Sequence, residues 1–115
     1  MKAKTYRDSS ELAYGDFDNL ATFLRTHVFA EEESAQRWRA TARKYARSNP
    51  DHTVAVVDDL NHLLADPRAT DEQVTRWIRV RTGSEDGRLQ PGVPVRHSLL
   101  ELRDLLYAES NEHQP

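Results

Sequence analysis

The amino-acid sequence predicts an all-α fold, a compact bundle of four to five helices in a single domain. Three observations predict it. Apolar residues recur at i, i+3, i+4 and i+7 through most of the chain, the spacing that lines up one face of a helix. Period-two alternation, the mark of a strand, is nearly absent. Pro50, Pro67 and Gly83 fall between the periodic stretches, where helices stop. At 115 residues the chain fits one domain. The helical core is expected over about 16–107, with 108–115 as a polar tail.

Phe17, Leu20, Ala21, Leu24 and Val28 share the face of a first helix, and Asp16 stands where its N-cap belongs. A second helix follows the Glu31-Glu32-Glu33 run, with Ala35, Trp38, Ala42, Tyr45 and Ala46 as its stripe. Ser34 or the glutamates suit its positive end, and Pro50 stops it. The third helix spans about Asp51–Ala65. At ~100° per residue, Val56, Val57, Leu60, Leu63 and Leu64 fall on one side of it. Asp51, Asp58, His62 and Asp66 fall on the other, with Asp59 at the edge. Thr70 and Gln73 form a capping box before Val74, Trp77 and Ile78 of a fourth helix, and Gly83 suits its left-handed end. Residues 83–95 hold three Gly and two Pro. That is near the upper length of a structureless connection, which marks the segment as functional or mobile; a hairpin around Val93 and Val95 is a weak signal. Ser98 and Glu101 read as a second capping box for a last helix carrying Leu99, Leu102, Leu105 and Leu106, and the tail from Ser110 reads as frayed. Trp38, Val57, Leu60, Leu64, Trp77, Ile78, Leu102 and Leu106 are expected to be largely buried. Tyr6 and Tyr14 belong to an irregular N-terminal stretch, suited to cover the bundle or to meet a partner.

Composition removes several function classes. The chain has no Cys, which excludes disulfides, zinc–thiolate sites, iron–sulfur clusters and thiol nucleophiles. No apolar run approaches the ~20 residues that span a bilayer. The first eight residues carry charge but no hydrophobic region of a secretory signal. The expectation is a soluble, cytoplasmic protein that does not meet a membrane.

Catalytic chemistry finds no support either. There is no G-x-S-x-G elbow, no phosphate-binding glycine loop and no H-E-x-x-H set. Asp58 and His62, four apart on one helix face, form a pair a metal can bridge, but a site needs three or four converging ligands. As solvent-facing polar neighbours they need no metal. The expectation is a protein that is not an enzyme and needs neither metal nor cofactor.

Charge is segregated along the chain. Residues 8–34 hold seven acids against Arg25 alone, and 51–73 hold six against Arg68 alone. Residues 35–50 hold five bases and no acid, and 74–96 hold five bases and two acids. One reading is that helices of opposite sign pair across the bundle surface, each pair contributing only ~0–1 kcal/mol. The other is an acidic surface, Glu31, Glu32, Glu33, Asp51, Asp58, Asp59, His62, Asp66, Asp71 and Glu72, that captures a basic protein partner by long-range attraction. Nucleic acid is a weak third reading, because the pI of about 5.9 is wrong for a stand-alone binder of phosphate backbones.

The order Phe17…Leu20…Phe23-Leu24…Val28-Phe29, then Val57-Asp58-Asp59-Leu60…Leu63-Leu64, resembles the small helical immunity proteins of contact-dependent growth inhibition and related polymorphic toxin systems. The likeness continues through Asp71-Glu72-Gln73-Val74…Trp77-Ile78, the turn at Gly83 and the closing Leu99-Leu100-Glu101-Leu102-Arg103-Asp104-Leu105-Leu106. It rests on helix order and apolar spacing. At Thr26-His27-Val28-Phe29-Ala30-Glu31 the chain lacks the Asp-Trp pair that such proteins often carry after the first helix. The resemblance implies a non-enzymatic bacterial inhibitor that binds the cognate toxin's C-terminal domain, a nuclease in many such systems, and blocks its active or substrate-binding surface. The competing class is a helical adaptor or regulatory domain that recognises a protein unrelated to toxins.

Overall fold

In the computed structural model, which describes residues 12–112, six α-helices and one π-helical turn follow one another without a strand among the described residues. They are α1 (Asp18–Phe23), the π turn (Leu24–Val28), α2 (Glu32–Gln36), α3 (Trp38–Ser48), α4 (Pro50–Ala65), α5 (Asp71–Thr82) and α6 (Val95–Glu112). The all-α class holds, with the helix count one above the range the spacing predicts. Tyr6, Asp8, Glu11 and His113 lie outside the described residues. No helix among those described is long and apolar enough to cross a membrane.

The extra helix comes from a break the periodicity cannot see. The predicted second helix is interrupted at Arg37, whose φ of −109° and ψ of 40° leave the helical region, so Glu32–Gln36 and Trp38–Ser48 run separately. Pro50 both ends α3 and opens α4, with Asn49 alone between them; proline fits a first helical position because its missing N–H would be unpaired there anyway. Thr70 Oγ1 accepts from the Gln73 N–H and Gly83 adopts φ 80°, both as expected from the residue types.

Two expected caps are wrong, for one reason. Asp16 does not cap α1; Phe17 occupies that position in a left-handed conformation, φ 60°, with its ring edge-on to Trp77 at 6.1 Å. The Leu20 N–H in the first turn is instead satisfied by Asp59 Oδ2 of α4, 3.0 Å away. Likewise Ser98 does not cap α6, which begins three residues earlier at Val95 and leaves Ser98 buried. There the Arg96 N–H donates to Asp71 Oδ1 of α5. Donors that a local side chain was expected to satisfy are satisfied across the fold, a pairing that spacing cannot reveal.

The core gathers around α4 and α6. α6 lies against α3, α4 and α5, while α1 lies against α4 and α5. Val56, Leu60 and Leu63 of α4 are buried, as are Leu99, Leu102 and Leu106 of α6 and Val74, Trp77 and Ile78 of α5. Trp38 is buried as expected, whereas Val57 and Leu64 pack against the core only part-buried. The 16-residue α4 turns its apolar stripe slightly toward Thr53, Val56, Leu60 and Leu63, which moves Val57 and Leu64 to the margin. The chain end also differs from expectation: α6 continues to Glu112 with Ser110 buried, so 110–112 are helical rather than frayed.

α3 and α6 are joined by two ion pairs, Arg39–Glu101 and Arg47–Glu109. Both pairs advance by eight residues on each helix, so α3 and α6 run in the same direction and in one register. Two of the four bases of α3, Arg39 and Arg47, thus find partners in α6 rather than in the acidic segments beside them in sequence. The Arg39 hydrogen bonds hold the Glu101 carboxyl below its ordinary range, and Arg68 does the same to Asp66.

Leu60→Ala is expected to cost about 2–5 kcal/mol in chemical denaturation, and Leu64→Ala clearly less because Leu64 is part-buried. The depressed carboxyls of Asp66 and Glu101 set a pH dependence as well. Their contribution is fully present above the ordinary values near pH ~4 and is lost as pH falls through the lower folded values. The thermal midpoint should therefore drop on acidification below that range, and Glu101→Gln should remove part of the drop.

Candidate protein-binding surfaces

The ten residues expected to form one acidic surface are divided among three places. Glu31, Glu32 and Glu33 lie at the start of α2, which packs only against α3 and the π turn. Asp51, Asp58, Asp59, His62 and Asp66 belong to α4 and its end, and Asp71 and Glu72 to the first turn of α5. The backbone of α4 does not come close to that of α2 or α5.

Within these groups the structure separates carboxylates with internal work from those without. Asp59 satisfies the Leu20 N–H of α1 and Asp71 the Arg96 N–H of α6. Asp66 accepts from the backbone and the guanidinium of Arg68, at 2.7–3.0 Å. Asp51, Asp58 and His62 remain exposed along α4. His62 Nδ1 is 2.9 Å from the Asp58 carbonyl and 3.6 Å from its carboxylate, an interaction within one turn of helix. Val54, 53% exposed, falls between Asp51 and Asp58 on the same stripe, one helical turn from each. Among the described residues no three His, Asp or Glu side chains gather as a metal would require.

A second surface was only hinted at in the sequence. Residues 83–94 contain no helix, yet they are tied down at several points. Leu89 is buried in the core. Gln90 Oε1 accepts from Arg39 at 2.8 Å. Ser84 receives the Gly87 N–H at 3.0 Å. Gly87, at φ 69°, sits so close to α5 that a Cβ there would lie 2.5 Å from the Thr75 carbonyl. Only glycine allows both that conformation and that approach.

Held this way, the segment forms one wall of a cleft of about 600 Å³ whose other wall is α2 and the start of α3. Phe29, Trp38 and Leu89 line its apolar part, and Glu32, Glu85, Asp86, Arg39 and Arg88 line it with charge. On the far side of the same segment, Arg76, Arg79 and Arg88 border a cavity of about 410 Å³ together with Asp71 and Glu72. The length and Gly/Pro content of 83–95 marked it as unusual; that it would be anchored and concave depended on Gly87, Leu89 and Gln90 each meeting a distant element.

Asp59→Ala and Asp71→Ala are each expected to destabilise the protein by about 0.5–2 kcal/mol, the cost of a lost helix cap. Asp58→Ala should change stability by no more than about 0.5 kcal/mol, as for an exposed position without such a role, and Asp51→Ala, which lies in the first turn of α4 but accepts no cross-fold bond, by less than either cap loss. Urea denaturation of the four variants distinguishes the groups. In comparisons with known proteins, no family model, no curated protein and no solved structure matches this chain.

Proposed function

We propose that the chain is an immunity-type inhibitor, a non-enzymatic cytoplasmic protein that binds and neutralises a cognate toxin domain, of nuclease type, by covering its active or substrate-binding surface. The observation that carries the reading is the outer stripe of α4. Asp51, Val54, Asp58 and His62 lie along it, exposed, and none of them is bonded to another element among the described residues. Asp59, Asp66 and Asp71 are bound up in the fold, whereas Asp58 and His62 meet only each other within one turn of α4 and Asp51 only the first turn of its own helix. Such exposed groups add little to the isolated domain, since Asp51 meets only the start of its own helix and Asp58 only His62 one turn away. A protein that must capture a basic groove before the toxin reaches its substrate gains association rate from the same arrangement. Val54 adds a desolvated apolar contact at the centre of the stripe, the kind of position where interfaces concentrate their energy.

The test is co-expression with the C-terminal domain of a large secreted protein encoded beside this chain, followed by co-purification and a growth assay. The expected result is a stable complex and restored growth; a toxin domain that neither binds nor is neutralised overturns the reading. Asp51→Lys with Asp58→Lys should slow association by about tenfold or more at low salt, with helical content unchanged. The wild-type rate should also fall as salt approaches physiological strength, where exposed charges are screened over ~8 Å. Unchanged rate and affinity in the double variant would remove α4 from the interface.

A further inference from the structure

The cleft between α2–α3 and residues 83–94 combines two properties that single out one kind of occupant. Its floor is apolar, built from Phe29, Trp38 and Leu89. Its acidic lining is Glu32, Glu85 and Asp86, and none of these three has a cationic partner among the described residues. Of the two arginines beside them, Arg39 is already committed. Its guanidinium is paired with Glu101, donates to Gln90 and lies 4.5 Å over the Trp38 ring. That leaves three carboxylates against Arg88. An apolar floor with a negative margin fits a side chain that has an aliphatic stem and a cationic head, the chemistry of arginine and lysine. The volume of about 600 Å³ is within the range of clefts that take ligands, ~300–1,000 Å³, and leaves room for apolar neighbours of such a side chain.

We infer that this cleft is a docking site for a segment of a partner protein in which arginine or lysine is flanked by an apolar residue. The inference deepens the inhibitor reading by naming the chemistry of a second contact, away from α4. The rim is pre-organised, because Gly87 and Leu89 fix residues 83–94 in place and Gln90 ties them to α3. Docking therefore requires little ordering of the loop, which is where flexible segments lose affinity.

The two tryptophans supply the readout. Trp38 lines the cleft, whereas Trp77 is buried elsewhere, so their indole N–H signals in a ¹⁵N-labelled chain report the cleft and the core separately. The probe is an acetylated, amidated Leu-Arg-Leu-Arg-Leu peptide, with a counterpart carrying glutamate in place of arginine. The arginine peptide is expected to shift the Trp38 indole and the amides of 84–91 saturably, in the millimolar range that suits one anchoring contact, and to leave the Trp77 indole in place. The glutamate peptide should have no effect. Glu32→Lys with Asp86→Lys, two exposed positions, should weaken the arginine peptide about tenfold or more with an unchanged circular dichroism spectrum. Absence of a saturable shift at Trp38, equal response to both peptides, or undiminished affinity in the double variant overturns the inference. The growth assay decides the inhibitor reading and the titration decides the cleft, so failure of one is distinguishable from failure of the other.

Discussion

Every α-helix ends with backbone donors and acceptors that the helix itself cannot pair, and in this protein several of the ends are completed by charged side chains from other helices. Asp59 of α4 takes an N–H at the start of α1, and Asp71 of α5 takes one at the start of α6. Arg96, whose own N–H is held by Asp71, turns its guanidinium to the carbonyls of Leu64 and Ala69, beyond which α4 has ended. Arg81 of α5 bonds the carbonyls of Tyr14 and Asp16 and pairs with Asp18, and so fixes the approach to α1. Each of these contacts joins elements far apart in sequence while meeting a local need. The arrangement makes helix formation and helix packing depend on each other, since α1 has six residues and is far below the ~12–15 at which an isolated helix is even marginal in water.

The same dependence explains what was legible in the sequence. The period of the apolar residues located α4, α5 and most of α6, because burial of a stripe is a property of each helix alone. Thr70, Gly83 and Ser34 were readable for the same reason: their partners lie within a few residues. Asp16 and Ser98 were misread because they have the right chemistry at the right offset, and nothing local says that Asp59 and Asp71 supply the bond from another helix. The break at Arg37 and the π turn over Leu24–Val28 escaped for a related reason. In the π turn the Phe29 N–H reaches back to the Leu24 carbonyl at 2.7 Å, a shift of one residue in pairing that leaves the apolar pattern almost intact.

Charge segregation looked in the sequence like one undivided feature, and the fold divides it. Part of it builds the bundle: α3 is registered on α6 through Arg39–Glu101 and Arg47–Glu109, and Asp59, Asp66 and Asp71 are consumed at helix ends. Those pairings are the surface pairing that the composition admitted, but between helices that sequence proximity did not suggest. The ten acidic-surface residues were therefore a mixture of structural and available groups, and no reading of spacing separates Asp58 from Asp59. A difference of one residue, about 100° around the helix, places one carboxylate in solvent and the other over the start of α1.

The available charge then constrains how any partner could meet this protein. An acid that caps a helix is already hydrogen-bonded to a backbone donor, so a partner competing for it would have to break the fold locally and repay that cost. An acid on the α4 stripe or on the cleft margin has only water to exchange. Recognition that leaves the bundle intact is thus confined to the groups the fold did not use. Among those groups are acids along α4 and on the margin of the apolar cleft, which Arg88 also lines, while Arg76 and Arg79 of α5 border the cavity on the other side of residues 83–94. A partner of the opposite sign would be drawn to either surface without disturbing a helix end, which is the physical condition under which fast capture and a stable fold coexist.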